Sequence, residues 1–289
     1  MRRVAIVGIG NMGGAIAQRI LDQRWPVQVF DIDASRVAAL QKLGAVGRAD
    51  AAQAAIGCGV LIVCVVDAGQ TEDVLFGPNG AAQVMRAGQA VLLCPTIGPQ
   101  HVEDFARRLA EKGIQAIDAP MSGGPAKARD GTMSLMVACD DDAFERQRAV
   151  IELMSNKVFR IGKRPGDGAR AKLVNNLLAG INLAGAAEAL ALAQRLGLDL
   201  PKMLDVIENS SGQSWIGSDR MRRAMAGDFA PRAHVSLLQK DTRLAVEVAS
   251  AAGFAGTLGP VACEVFDKAA QAGLGELDDA ALFKLMSQA

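Results

Sequence analysis

The run Arg3-Val4-Ala5-Ile6-Val7 passes directly into Gly8-Ile9-Gly10-Asn11-Met12-Gly13. By itself a G-x-G-x-x-G pattern is a weak constraint in a chain that holds 31 glycines. Its surroundings make it a strong one. The glycines follow an apolar strand pattern and precede a helix pattern with Ala15, Ile16, Ile20 and Leu21 on one face. A second strand pattern, Val27-Gln28-Val29-Phe30, then ends in Asp31, about 20 residues beyond the glycines. Strand, glycine turn, helix, strand and acid in this order are the opening of a dinucleotide-binding βαβ unit.

Each residue type there answers a physical need. Gly8 permits the tight turn, Gly10 leaves room for a pyrophosphate, and Gly13 lets the helix pack closely on the strand. Phosphates then meet the N–H groups and the positive dipole end of the helix. Asp31 is placed to accept hydrogen bonds from both adenosine ribose hydroxyls and to repel a 2′-phosphate, and the first basic residue after it is Arg36. This predicts NAD over NADP as cofactor, with Gly8, Gly10, Asn11, Met12, Gly13 and Asp31 as contacts. Asp33 is the expected cap of a helix starting near Ala34.

Up to about residue 163 strand and helix patterns alternate. Val60 to Val66, Ala90 to Leu93 and Ile114 to Asp118 read as short apolar strands of a parallel sheet covered on both faces. Thr132 to Ala138 and Lys157 to Ile161 read as further strands around a helix starting near Asp141. Beyond Pro165-Gly166-Asp167-Gly168 everything is helical pattern rich in Ala and Leu, with stops at Gly197, Gly212, Gly227, Gly253 and Gly273. The predicted class is α/β: a Rossmann-type doubly wound sheet over residues 1–163, then an all-α domain over 164–289. A long helix from about Ala169 to Leu196 links them. It is apolar nearly all round, so burial on several sides is expected, partly against another subunit in a homodimer or homotetramer.

Composition narrows the classes. With 289 residues, half of them hydrophobic, and zero formal net charge, the chain has a core to bury and no basic clusters for nucleic acid or an anionic membrane. Asn175, Asn176, Asn182 and Glu188 interrupt the most apolar stretch, which favours a helix enclosed by protein over a membrane span. Cys58, Cys64, Cys94, Cys139 and Cys263 are scattered and odd in number. They read as packing residues in a reducing cytoplasm, without metal. The first strand begins so early that no leader peptide is expected before it.

Four groups of residues carry candidate chemistry. Lys172, Asn175 and Asn176 fall on one helix face. A lysine set against an apolar cleft is costly to charge, which suits a residue that exchanges a proton near neutral pH, and an asparagine one turn on can fix a substrate hydroxyl or carbonyl. The same spacing also fits an ordinary solvated lysine. Ser122-Gly123-Gly124, behind Asp118-Ala119-Pro120-Met121, offers a hydroxyl and open backbone N–H groups for a carboxylate, or simply a turn. Lys240-Asp241 offers positive charge to an anion, or a surface ion pair. Pro95-Thr96-Ile97-Gly98-Pro99 follows a strand end, where open α/β sheets bind ligands.

Taken in order these stretches resemble the β-hydroxyacid dehydrogenase family, over essentially the whole chain. The motifs are the glycine opening; Thr96-Ile97; Asp118 to Gly124 with Gly131-Thr132; Gly168 to Asn176 as G-x-x-x-K-x-x-N-N; and Lys240-Asp241 with Leu244-Ala245. The resemblance implies a small hydroxy acid substrate and Lys172 as catalytic acid/base. It makes Ser122, Gly123, Gly124, Asn175, Asn176 and Lys240 substrate residues, and it adds Val65, Thr96 and Lys240 to the cofactor contacts. Gln70 to Gly77, Lys157 to Gly162, Gly212 to Trp215 and Gly227 to Pro231 look most like the L-threonate dehydrogenase branch, whereas Asn175-Asn176 looks hydroxyisobutyrate-like. The alternatives are therefore a 3-hydroxyisobutyrate dehydrogenase, or a tartronate or succinic semialdehyde reductase. Short-chain dehydrogenases are excluded, since their proton donor is Tyr and the chain has none. A non-catalytic nucleotide sensor is the alternative outside the class.

Overall fold

The computed structural model describes residues 3–288. It falls into two compact units, the first ending at Lys172 and the second beginning at Leu173. In the first unit the chain runs through β1 (Arg3–Val7), α1 (Asn11–Asp22), β2 (Val27–Phe30), α2 (Ala34–Gln41), β3 (Val46–Gly47), α3 (Ala51–Ala55) and β4 (Cys58–Val63). It continues through α4 (Ala68–Phe76), β5 (Ala90–Leu93), α5 (Pro99–Ala110), β6 (Gln115–Asp118), β7 (Met121–Ser122), α6 (Gly124–Asp130), β8 (Ser134–Ala138), α7 (Asp141–Met154) and β9 (Lys157–Gly162). The helix α8 (Asp167–Arg195) passes from one unit into the other.

The strands lie in the order β3-β2-β1-β4-β5-β6-β8-β7, with β9 beside β8. From β3 to β6 every pairing is parallel. The order reverses direction between β1 and β4, the switch point at which such sheets open a crevice for a dinucleotide. Alternation along the strands supplies both faces. Val4 and Ile6 of β1 pack with Ile16 and Ile20 of α1, while Ala5 and Val7 face the layer holding Leu75, Phe105 and Leu109. The sheet turns mixed at its far end, because β8 runs antiparallel to both β6 and β7. β4 starts at Cys58 and ends at Val63, so Cys64 to Val66 belong to the loop beyond it.

In the second unit α9 (Leu200–Glu208), α10 (Trp215–Met225), α11 (Val235–Ala251), α12 (Leu258–Ala269) and α13 (Leu282–Gln288) pack with the later turns of α8. Leu183 and Leu190 of α8 share a core with Leu204, Met221, Leu238 and Phe266. Among the described residues α8 is the one helix long and apolar enough to cross a membrane, and this shared core encloses part of it in protein. The burial is incomplete: Val174, Leu178 and Leu192 remain 70%, 58% and 58% exposed. A buried ion network also holds this unit together, with Arg223 Nη2 2.6 Å from Asp278 and Arg220 Nε 2.5 Å from Asp279. Burial pushes Asp279 up to about 7. Against the same burial, Arg223 and backbone N–H groups pull Asp278 down to about 2.

Candidate active site

The first unit gathers the predicted cofactor residues other than Lys240, which lies in the second unit, along the C-terminal edge of the sheet. Gly8 takes φ 83° directly after β1, and a Cβ there would fall 2.8 Å from the Cys64 carbonyl after β4. A Cβ on Gly13 would lie 2.0 Å from the Gly8 carbonyl oxygen, so α1 can start this close to β1 only with glycine. The helix starts differ in a telling way. In α2, α3 and α4 the side chains of Asp33, Asp50 and Asp67 accept a hydrogen bond from a first-turn N–H, whereas α1 begins at Gly10 with no side-chain cap and no acid in its first turn. Like α5 and α6, α1 therefore starts without a side-chain cap, which is compatible with a pyrophosphate at its N-terminus.

Asp31 follows β2 with its carboxylate fixed from two sides. Oδ2 accepts from Ile9 N at 2.7 Å and Oδ1 from Asp33 N at 2.9 Å. Asp33 caps α2, as expected from the sequence. Arg36 folds back so that Nη1 stands 3.7 Å from Asp31 Oδ2, and a Cβ on Gly10 would lie 3.3 Å from the same nitrogen. The corner after β2 therefore contains a cation as well as the carboxylate. Val65 and Thr96 follow the neighbouring strands β4 and β5, both half-buried. Beside them a hydrogen bond with Cys64, together with burial, pushes the Cys94 thiol well up, so it stays neutral and packs. All five cysteines are free, and the described residues contain no cluster of metal-ligating side chains.

Ser122 lies on β7, paired with Ser134 of β8, and Gly123 and Gly124 follow at φ 129° and 78°. Two successive left-handed residues turn the chain sharply into α6 and leave the loop backbone uncovered by Cβ atoms. Lys172, in the second turn of α8, is 7% exposed, which removes the solvated-lysine reading of the sequence. Burying a lysine is costly enough that such a residue is a functional candidate.

In the second unit the remaining predicted residues meet. Asn176, also buried, donates from Nδ2 to Asp241 Oδ2 at 2.7 Å, and its Oδ1 accepts from Asn175 Nδ2 at 3.0 Å. Lys240 Nζ lies 2.8 Å from Asp241 Oδ1. Asp241 is thus the hub that orients Asn176 and engages Lys240, a role the sequence did not reveal. Its only signal was adjacency to Lys240. The other surprise is Asp118 at the end of β6, 1% exposed, whose Oδ2 accepts from Gly166 N at 2.8 Å and Ala169 N at 2.9 Å. His101 lies in the first turn of α5, and His234 Nδ1 is 2.9 Å from the Glu276 carbonyl oxygen.

Comparison with known proteins divides the chain slightly earlier, ahead of α8. Residues 3–162 match the model described as the NAD binding domain of 6-phosphogluconate dehydrogenase. Residues 166–286 match that for the NAD-binding of NADP-dependent 3-hydroxyisobutyrate dehydrogenase. The chain is 39% identical to L-threonate dehydrogenase of Escherichia coli K12, over 98% of this chain and 94% of that protein. It is 36% identical to 3-hydroxyisobutyrate dehydrogenase of Pseudomonas aeruginosa, over 94% and 93%. The crystal structure described as 3-hydroxyisobutyrate dehydrogenase from Salmonella typhimurium superposes with a TM-score of 0.93 at 36% identity, covering 99% of this chain and all of that one.

Proposed function

This chain belongs to the 3-hydroxyisobutyrate dehydrogenase-like family of β-hydroxyacid dehydrogenases, and on that premise we propose that it oxidises a small polyhydroxy acid of the L-threonate type, with Lys172 as acid/base. It is an NAD-dependent hydroxyacid dehydrogenase. The observation that carries the residue assignment is the burial of Lys172 in the helix that starts against the strand preceding the Ser122 loop.

In this reading Ser122 Oγ and the backbone N–H groups at Gly123 and Gly124 hold the substrate carboxylate. Asn11, Met12 and the glycine turn take the pyrophosphate of NAD, Asp31 its adenosine ribose, and Val65 and Thr96 line the nicotinamide end. NAD supplies the hydride acceptor. Lys172 enters neutral and takes the proton of the substrate hydroxyl on Nζ as the carbinol C–H bond breaks, so that CH–OH becomes C=O and the proton passes to solvent afterwards. In the second unit Asn176 and Lys240, tied together by Asp241, and the exposed Asn175, which donates to Asn176, are proposed to bind the hydroxyl-bearing part of the substrate. A methyl in place of a hydroxyl would leave such polar groups unpaired, at about 1–3 kcal/mol each. The five free thiols fit a reducing cytoplasm, and the exposed apolar row on α8 fits a homodimer or homotetramer.

The test is a panel of four-carbon sugar acids and short hydroxy acids, run with NAD and NADP at one pH. L-threonate should give a higher kcat/KM than 3-hydroxyisobutyrate; the reverse order would assign the chain to the hydroxyisobutyrate branch that its Asn175-Asn176 pair resembles. Lys172→Ala should lower kcat by roughly two to four orders of magnitude with NAD affinity nearly unchanged. Retention of most activity would refute the acid/base assignment.

A further inference from the structure

We infer that Asp118 is a positioning residue: it fixes Lys172 relative to the Ser122-Gly123-Gly124 loop by anchoring the first turn of α8 to the segment that carries that loop. This rests on the reading of Lys172 given above. The segment from Asp118 to Ser122 is fastened along its length to β8. Asp118 pairs with Ala138, Met136 N donates to the Pro120 carbonyl at 3.0 Å, Met121 pairs with Leu135, and Ser122 with Ser134. The loop thus starts from a rigid strand.

From the other end of the same segment, Asp118 Oδ2 receives the N–H groups of Gly166 at 2.8 Å and Ala169 at 2.9 Å. Lys172 stands one turn beyond Ala169, on the same helix. Between the two donors lies Gly168. A Cβ there would come within 2.9 Å of the Asp118 carboxylate and 2.7 Å of the Met136 carbonyl oxygen, so any larger residue would lift α8 off its anchor. One carboxylate, one glycine and a short zippered segment thereby set the separation between the proton acceptor and the carboxylate cradle. Misplacing a reacting group by about 1 Å costs on the order of a hundredfold in rate, which is what makes such an anchor matter.

The charge at this position is expensive. Burial pushes Asp118 up to about 6, although the N–H groups of Ala169, Gly166 and Gly168 stabilise its ionised form. An asparagine or serine would accept N–H bonds without burying a charge, so holding the helix in the folded chain does not by itself require a carboxylate. Ionised, Asp118 binds the N–H groups more strongly and fixes their geometry more tightly than a neutral acceptor.

Asp118→Asn tests this together with Gly168→Ala and Lys172→Ala, using NAD and the hydroxy acid turned over fastest in the panel above. Asp118→Asn should unfold at a temperature equal to or above that of the unaltered chain at pH 7.5. Its kcat should fall about 10- to 100-fold, while KM for the hydroxy acid and the NAD dissociation constant stay within about threefold. The solvent deuterium isotope effect on kcat should rise, because the proton step becomes limiting. Gly168→Ala, which keeps the carboxylate, should give the same split and supplies the test if Asp118→Asn does not fold. A folded Asp118→Asn enzyme with kcat within twofold of normal, or one whose kcat falls only with the folded fraction at an unchanged isotope effect, overturns the inference. If Lys172→Ala is inactive while Asp118→Asn is normal, only the positioning role fails. If Lys172→Ala stays active, the reading of the site itself fails.

Discussion

Asp31 shows how a side chain can be placed from sequence, at the end of β2, while its partners stay hidden. Its position at the end of β2 was legible, because the strand pattern and the spacing from the glycines fix it. That Ile9 N and Asp33 N hold its carboxylate was not legible, since backbone donors carry no residue signature. Nor was the approach of Arg36 to 3.7 Å. The same limit hid Asp118, whose partners are main-chain groups 48 and 51 residues away, and the hub role of Asp241, whose partner Asn176 is 65 residues away. Lys172, Ser122 and Asn176 could be named as candidates because their side chains stand in motifs that resemble the family's, while spacing alone also allowed a solvated lysine and a plain turn. Arg36 bears on cofactor choice: a cation beside Asp31 softens the repulsion of a 2′-phosphate, making the preference for NAD one of degree. Replacing Asp31 by Ser and Ile32 by Arg should raise the ratio of kcat/KM with NADP to that with NAD at least tenfold, since Ile32 is 96% exposed and an arginine there meets no obstruction. Steady-state kinetics with both cofactors checks this, and an unchanged ratio would show that specificity is set elsewhere.

At the scale of elements, strands of four or more residues were readable and the two-residue strands β3 and β7 were not. Two residues carry no alternation, and their pairing depends on partners distant in sequence. The run past Val63 misled in the opposite direction. Cys64 and Val65 are apolar because they pack beneath the Gly8 turn, where a Cβ on Gly8 would touch them, and not because the strand continues. The long helix was legible in length and character, and its burial within the single chain is partial. Val174, Leu178 and Leu192 recur at helical spacing and stay exposed, so α8 has apolar surface left for a second copy to cover. Leu178→Glu with Leu192→Glu should shift the protein to a smaller species in size-exclusion chromatography with light scattering, with the circular dichroism of the native chain retained. An unaltered mass would mean that this face carries no subunit interface.

For the molecule as a whole, the change of pattern near residue 163 led to an expected two-part organisation, and the structure divides at Lys172, inside α8, but the energetic cost of burying Asp118 left no trace in the sequence. The folded-state value of about 6 for Asp118 stands above the ordinary 3.8. Protonated Asp118 therefore contributes stability that is fully present below about pH 3.8 and is lost as pH rises through about 6. Relative to Asp118→Asn, the unaltered chain should lose up to about 3 kcal/mol between pH 4 and pH 7.5, measured by urea unfolding at each pH. Equal pH slopes in the two proteins would mean that the carboxyl group titrates normally. The strand order carries a different consequence, for the time before the protein is complete. β1 is made before both of its neighbours, β2 and β4. While residues 31–63 are still being made, the apolar residues Val4 to Val7 of β1 have one hydrogen-bonding edge open, the kind of edge at which unfinished copies of a chain can pair.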